Sequence, residues 1–304
     1  MIRVLSRKEI DNDLWNSCID KSSNGQIFAY SWYLDACCPG WKGMVKNNYE
    51  AVFPFSSKNK FGINYLYQPF FTRHFGVYSS IEISENDKIK FLECIPDKYR
   101  YWQFCLNSIH QNVPTKIDKE KRVYQELDLN QDCLTIRNRY HENLLRNLKK
   151  AEKANLTIIK SYNPESVVSQ FKFHQKEKQL GFVENDFETL HKLTKTLSEQ
   201  GKSICWAVSK AGGEELAGAF FMVSNNRIVY LKGFSSEEGK KCGAMHFLFD
   251  ILIKELANTN VVLDFGGSNV DTVSRFYKSF GAMDCIYLQL KLNRLPSILK
   301  WLKR

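Results

Sequence analysis

Two periods run through the pattern of apolar and polar positions. Helical spacing of apolar residues around Glu9 to Asp20 and Tyr30 to Cys37 predicts two helices. Alternation then predicts a β meander of Lys42 to Lys46, Tyr49 to Phe55 and Gly62 to Tyr67, with Asn47-Asn48 and the polar Ser56 to Lys60 as its turns. A helix from Asn86 to Cys94 and strands at Tyr101 to Leu106 and Val123 to Leu129 complete a first α/β unit. One long helix is expected next, from about Cys133 to Ala154. It places Leu144, Leu145, Leu148 and Ala151 on one side and Arg139, Arg146, Lys150 and Lys153 on the other.

A second unit follows the helix. Its pattern predicts a strand at Leu156 to Lys160, helices Pro164 to Leu180 and Phe187 to Glu199 closed by Gly181 and Gly201, and strands Ser203 to Ser209, Leu216 to Ser224 and Arg227 to Gly233. Gly212-Gly213 and Asn225-Asn226 are the hairpin turns. An amphipathic helix carrying Ala244, Phe247, Leu248, Ile251, Leu252 and Leu256 leads to a buried strand, Val261 to Phe265. Ser268-x-x-Asp271 reads as a capping box for a helix ending at Ser279, and Asp284 to Leu292 is a last strand. Together these predict an α/β chain with mixed, mostly antiparallel sheets flanked by helices, divided into residues 1–132 and 133–304, the second unit opened by the basic amphipathic helix 133–154.

Length agrees with that division, since 304 residues at about 150 per domain make about two domains. Hydrophobic residues at 43% and charged residues at 25% exclude disordered, collagen-like and coiled-coil classes. The formal net charge of +10 favours an anionic partner: a phosphate-rich cofactor, nucleic acid or an acidic membrane surface. No apolar run approaches the roughly 18 residues of a membrane span, and charged Arg7, Lys8 and Glu9 follow the start, so a cytoplasmic location is expected. Nine cysteines scattered from Cys18 to Cys285 read as reduced thiols. Without Cys-x-x-Cys or His-Glu-x-x-His spacing, no metal site is expected.

Candidate chemistry concentrates after the strand at Arg227 to Gly233. Glu238-Gly239-Lys240-Lys241-Cys242-Gly243-Ala244 leaves that strand and opens a helix, so free backbone N–H groups, a positive dipole end and two lysines suit a pyrophosphate; an ordinary glycine turn is the alternative. The stripe of Arg139, Arg146, Lys150 and Lys153 is either a solvated face or a phosphate contact. Asp264, ending a buried strand, is a candidate base or amine-orienting carboxylate, or else a turn aspartate bonding the Gly266 and Gly267 backbone. The aromatic cluster Phe61 to Tyr78 reads as a half-buried sheet face or a stacking surface, with Arg73 and His74 beside it as acceptor contacts. The end of the chain, Leu295 to Arg304, mixes apolar and basic residues like an interfacial helix that meets a membrane, or like a tail docked on its own domain.

Several of these stretches form a family pattern. Lys240-x-x-Gly243-Ala244, Leu263-Asp264-Phe265-Gly266-Gly267-Ser268 and Arg275-Phe276-Tyr277-Lys278-Ser279-Phe280-Gly281 resemble the second half of GNAT-superfamily acyltransferases, closest to the Fem-type branch of peptidyltransferase-like proteins. Gln68 to Gly76 and Asn143 to Ala151 are similar to that branch as well. The resemblance implies two tandem GNAT-like units and direct transfer of an acyl or aminoacyl group to an amine, on a small or lipid-linked acceptor. It implies Tyr277 as the acid for the leaving group, a role suited to a phenol with a pKa of about 10, and Lys240, Lys241, Gly243 and Ala244 as the acyl-CoA pyrophosphate contacts. Met245 stands where the coenzyme A pattern has Gly or Ala. Fem-type relatives use aminoacyl-tRNA to extend a peptidoglycan precursor, for which the basic stripe would serve. A backbone N–H near Leu231 to Phe234 would hold the oxyanion, and a catalytically silent binding module of the same fold is a third reading.

Overall fold

The computed structural model describes residues 1–110, 112–178, 182–210, 213–267 and 270–296. It divides into two compact units, Met1–Arg122 with the stretch from Ile286 onward, and Val123–Cys285.

The first unit opens with β1 (Ile2–Ser6), α1 (Asn12–Lys21) and α2 (Ser31–Cys37), followed by β2 (Lys42–Lys46), β3 (Ala51–Phe55), β4 (Ser57–Lys60), β5 (Ile63–Tyr67) and β6 (Tyr78–Ser79). α3 (Glu85–Glu93) then crosses over to β7 (Tyr99–Leu106). One sheet has the order β1-β2-β3-β6. In the other, β4 pairs β5 and β5 runs parallel to β7, the rungs ending at Tyr67↔Gln103. Ser56 to Lys60, expected as a turn, supplies β4 instead. The reversal sits one step later at Phe61-Gly62, whose φ angles of 52° and 77° are both left-handed. Trp15, Tyr33, Phe53 and Phe104 anchor this core, each burial contributing about 1.5–3 kcal/mol.

The second unit begins within β8 (Asp118–Asp128) and continues through α4 (Cys133–Arg137), α5 (Glu142–Lys153), β9 (Leu156–Ile159), α6 (Pro164–Lys178) and α7 (Glu184–Glu199). The strands β10 (Ser203–Lys210), β11 (Glu215–Ser224) and β12 (Arg227–Ser235) come next. α8 (Glu237–Cys242) and α9 (Ala244–Leu256) cross to β13 (Val262–Gly267), and α10 (Asp271–Lys278) leads into β14 (Met283–Asn293). Its sheet runs β8-β13-β12-β11-β10-β9, antiparallel except for the β12–β13 pair.

The units part ten residues before the expected 132/133 division. Val123 to Asp128 belong to β8, whose rungs go to β13, while β14 from Leu288 onward forms its rungs with β7 of the first unit. The expected long helix is two helices. The buried Tyr140 turns in to meet Phe280, ring centroids 5.7 Å apart, and the His141 N–H donates to the Ser279 carbonyl at 2.9 Å rather than continuing a helical ladder. Leu144, Leu148 and Ala151 of α5 are buried at helical spacing, as expected, whereas Leu145 is exposed. The Ser268 capping box, Leu180, Gly181, Gly212 and the tail 297–304 lie outside the described residues. Among the described residues no helix is long and apolar enough to cross a membrane.

Candidate functional site

β12 and β13 start as a regular parallel pair, Arg227↔Val262, Ile228↔Leu263 and Val229↔Asp264, and no further rung joins them although both strands continue. Two local features part them. On the β11 side, Phe220 pairs Lys232 but Phe221 pairs Tyr230, so Leu231 is the extra residue of a β-bulge. The extra residue of a bulge drops out of the ladder and the strand bends there. On β13, Gly266 takes φ +77° and its N–H donates to Asp264 Oδ1 at 2.9 Å, turning the chain away. The parallel ladder thus stops at the carboxyl ends of two neighbouring strands, the place where open α/β sheets have their ligand crevice.

Aromatic side chains pack to one side of this point. Tyr277 of α10 is buried, its ring 5.1 Å from Phe265 and 6.4 Å from Tyr230, and Tyr230 also packs on Phe221 and Phe249. Burial of its hydroxyl pushes Tyr230 far above its ordinary pKa. On the opposite face Arg227 holds two carboxylates, Glu126 and the fully buried Asp264, the latter at 3.4 Å. Burial works against that guanidinium's charge, but the two carboxylates raise its pKa on balance. Asp264 is thus both the turn aspartate at Gly266 and an ion-pair partner of Arg227. Past the bulge, Lys232 points to the same face beneath α6, its ammonium 5.4 Å from the Phe171 ring and 5.5 Å from Phe182. Burial lowers its pKa to about 8.

The expected pyrophosphate turn is built differently. Glu237 to Cys242 form the short α8, capped by the Ser236 hydroxyl accepting from the Gly239 N–H at 3.0 Å. Lys240 and Lys241 therefore sit at the negative end of that helix, and Lys240 pairs with Glu237 while Glu238 pairs with Lys210. The glycines answer to packing: a Cβ on Gly239 would meet the Leu216 carbonyl oxygen at 2.1 Å, and one on Gly243, at φ +77°, the Asn147 oxygen at 2.6 Å. Ala244 is buried in the core and Met245 packs against it instead of covering the turn. The anion-binding feature that remains is the N-terminus of α9, begun at Gly243 without a side-chain cap.

That close approach at Gly243 brings together two sites expected separately. α5 carries Asn147 against Gly243, and the charge of Lys150 on the next turn joins burial in lowering His246, on the first turn of α9, to about 4. Arg146, Lys150 and Lys153 are exposed along α5. Arg139 does not belong to their stripe: it lies in the break between helices, donates to Gln131 Oε1 at 2.7 Å and has its Cβ in the space that Gly281 leaves open. In the first unit, Arg73 is half-buried 5.3 Å from the Phe28 ring, and His74 is buried between Phe28 and Tyr287.

Sequence reasoning missed Arg227, Tyr230 and Lys232. Their signal was a strand with Arg, Tyr and Lys at Arg227, Tyr230 and Lys232, where strict alternation would set Tyr230 and Lys232 on one face and only a bulge separates them.

No family model matches the chain, and no curated protein matches its sequence. Solved structures do. FemX covers 99% of this chain and 100% of its own, with TM-score 0.70 and 13% identity. The C-terminal domain of a putative lysylphosphatidylglycerol synthetase from Agrobacterium fabrum has TM-score 0.58 at 13% identity, covering 97% of this chain and 94% of its own. A tandem GNAT protein from the clavulanic acid biosynthesis pathway has TM-score 0.51 at 7% identity, covering 98% of this chain and 100% of its own. The chain therefore has the tandem GNAT-like fold shared by FemX, with its parting parallel strands in the second unit.

Proposed function

We propose that the protein is an acyltransferase that moves an acyl group from a phosphate-bearing carrier directly to an amine, at the crevice between β12 and β13. The observation that carries this reading is the bulge at Leu231 beside the buried Tyr277. A carbonyl seated in the crevice meets backbone N–H groups released from the ladder, which stabilise the oxyanion of a tetrahedral intermediate. Lys232, with its pKa near 8, takes the proton from the acceptor ammonium; the freed amine nitrogen bonds to the carbonyl carbon, the bond to the carrier breaks, and Tyr277 protonates the leaving atom. Arg227, braced by Glu126 and Asp264, fixes the charge of the acceptor face.

The carrier binds where the α9 N-terminus meets Arg146 and Lys150, and acyl-CoA is the donor we assign to that spot. The assignment rests on the uncapped helix N-terminus and the two exposed cations beside it. The exposed run on through Lys153 favours a longer polyanion, aminoacyl-tRNA, as the second reading, with a peptidoglycan precursor or another lipid-linked or small amine as acceptor; both donors suit a cytoplasmic enzyme. Calorimetric titration with coenzyme A and acetyl-CoA, beside filter binding of bulk tRNA at two salt concentrations, separates them. Micromolar coenzyme A binding lost in Lys150→Glu supports the first. Steeply salt-dependent tRNA binding without coenzyme A binding supports the second. Silence in both overturns the transferase reading in favour of a binding module.

A further inference from the structure

The hairpin between β4 and β5 breaks a rule of turn chemistry. A two-residue turn with both residues left-handed normally takes Asn-Gly, because a Cβ is strained there. Here the first position is Phe61, at φ 52°. The turn does not need a phenylalanine, and neither does the core, since Phe61 is 87% exposed. A strained apolar residue at a tip where its ring is almost wholly exposed points to something outside the molecule.

Its surroundings define the partner's charge. β4 is an edge strand with Lys58 and Lys60 exposed, and Lys60 Nζ lies 5.5 Å from the Phe61 ring. The register sets the exposed cations of neighbouring strands at the same end: Asn64 pairs Tyr99, which follows Lys98 and precedes Arg100, and Arg294 N donates to the Arg100 carbonyl at 2.8 Å. Asp97 is held by Arg294 at 2.7 Å.

We infer that this end of the first unit docks on an anionic lipid bilayer, with Phe61 inserted at the boundary of headgroups and acyl chains and the lysines and arginines among the headgroups. A convex apolar tip ringed by cations is built for that interface. Nucleic-acid stacking uses a positively charged groove with successive aromatic rings, whereas Phe61 is a single ring at a hairpin tip.

The full chain is to be co-sedimented with phosphatidylcholine vesicles, with and without about a third phosphatidylglycerol. Wild type is expected to pellet only with the anionic vesicles. Phe61→Asn, which suits the left-handed turn, is expected to weaken pelleting about tenfold or more without lowering the thermal midpoint, and Lys60→Glu to weaken it further at low salt. Absence of pelleting by wild type, or pelleting of a folded Phe61→Asn equal to wild type, overturns the proposal. So does a loss of tRNA binding in Phe61→Asn with vesicle binding intact.

Discussion

Each unit contains one parallel strand pair joined by a crossover helix, and the two pairs end differently. In the first unit β5 and β7 leave their ladder at Tyr67↔Gln103, and the opening is sealed at once: Gln68 Oε1 accepts from the Cys105 N–H at 2.8 Å, and Phe75 bridges Leu106, its N–H donating to the Cys105 carbonyl. In the second unit the Leu231 bulge and the Gly266 turn leave β12 and β13 apart. A parallel pair can offer backbone groups to a ligand only where the chain itself does not bond them.

Three substitutions test the contrast. The largest effect is expected at the open pair: Tyr277→Phe should lower kcat by about 10²-fold or more with donor affinity unchanged in calorimetry, and unchanged turnover would remove Tyr277 from the chemistry. At the sealed pair, Gln68→Ala strips the Cys105 N–H of its acceptor and should cost about 1–3 kcal/mol in denaturant unfolding while leaving the kinetics alone. The smallest effect concerns the profile rather than the maximum. Lys232 becomes a base as pH rises through about 8, so wild-type activity should climb across that pH, and Lys232→Met should flatten the climb by about tenfold at its top. A profile that still rises in the variant would assign the base elsewhere.

Much of the fold was legible because periodicity survives wherever one face is buried. The strands and helices from Leu156 to Leu292 fall close to where apolar spacing puts them. The errors have local causes. A phenylalanine at the turn hid β4, because Phe61 reads as strand and the lysines before it as loop. The 133–154 helix kept its periodicity across a break that only the Ser279 carbonyl and Phe280 explain, both distant in sequence. The candidate site was half legible: Tyr277, packed on Phe265, and Asp264, paired with Arg227, were both singled out, but the bulge at Leu231 leaves no residue type behind. The motif glycines were visible, but their packing was not: Gly239 and Gly243 admit the backbone of Leu216 and Asn147, which are distant in sequence.

β14 gives the chain an unusual order of assembly. Residues 288–293 complete the β7 edge of the first unit, although the whole second unit is translated before them. A ribosome releases domains in sequence, and N-terminal domains commonly fold first. Here the second unit can close while the first still waits for its last strand, with the β7 edge bare until residues 288–293 emerge. A chain cut before Leu288 would leave that edge open to pair with another chain.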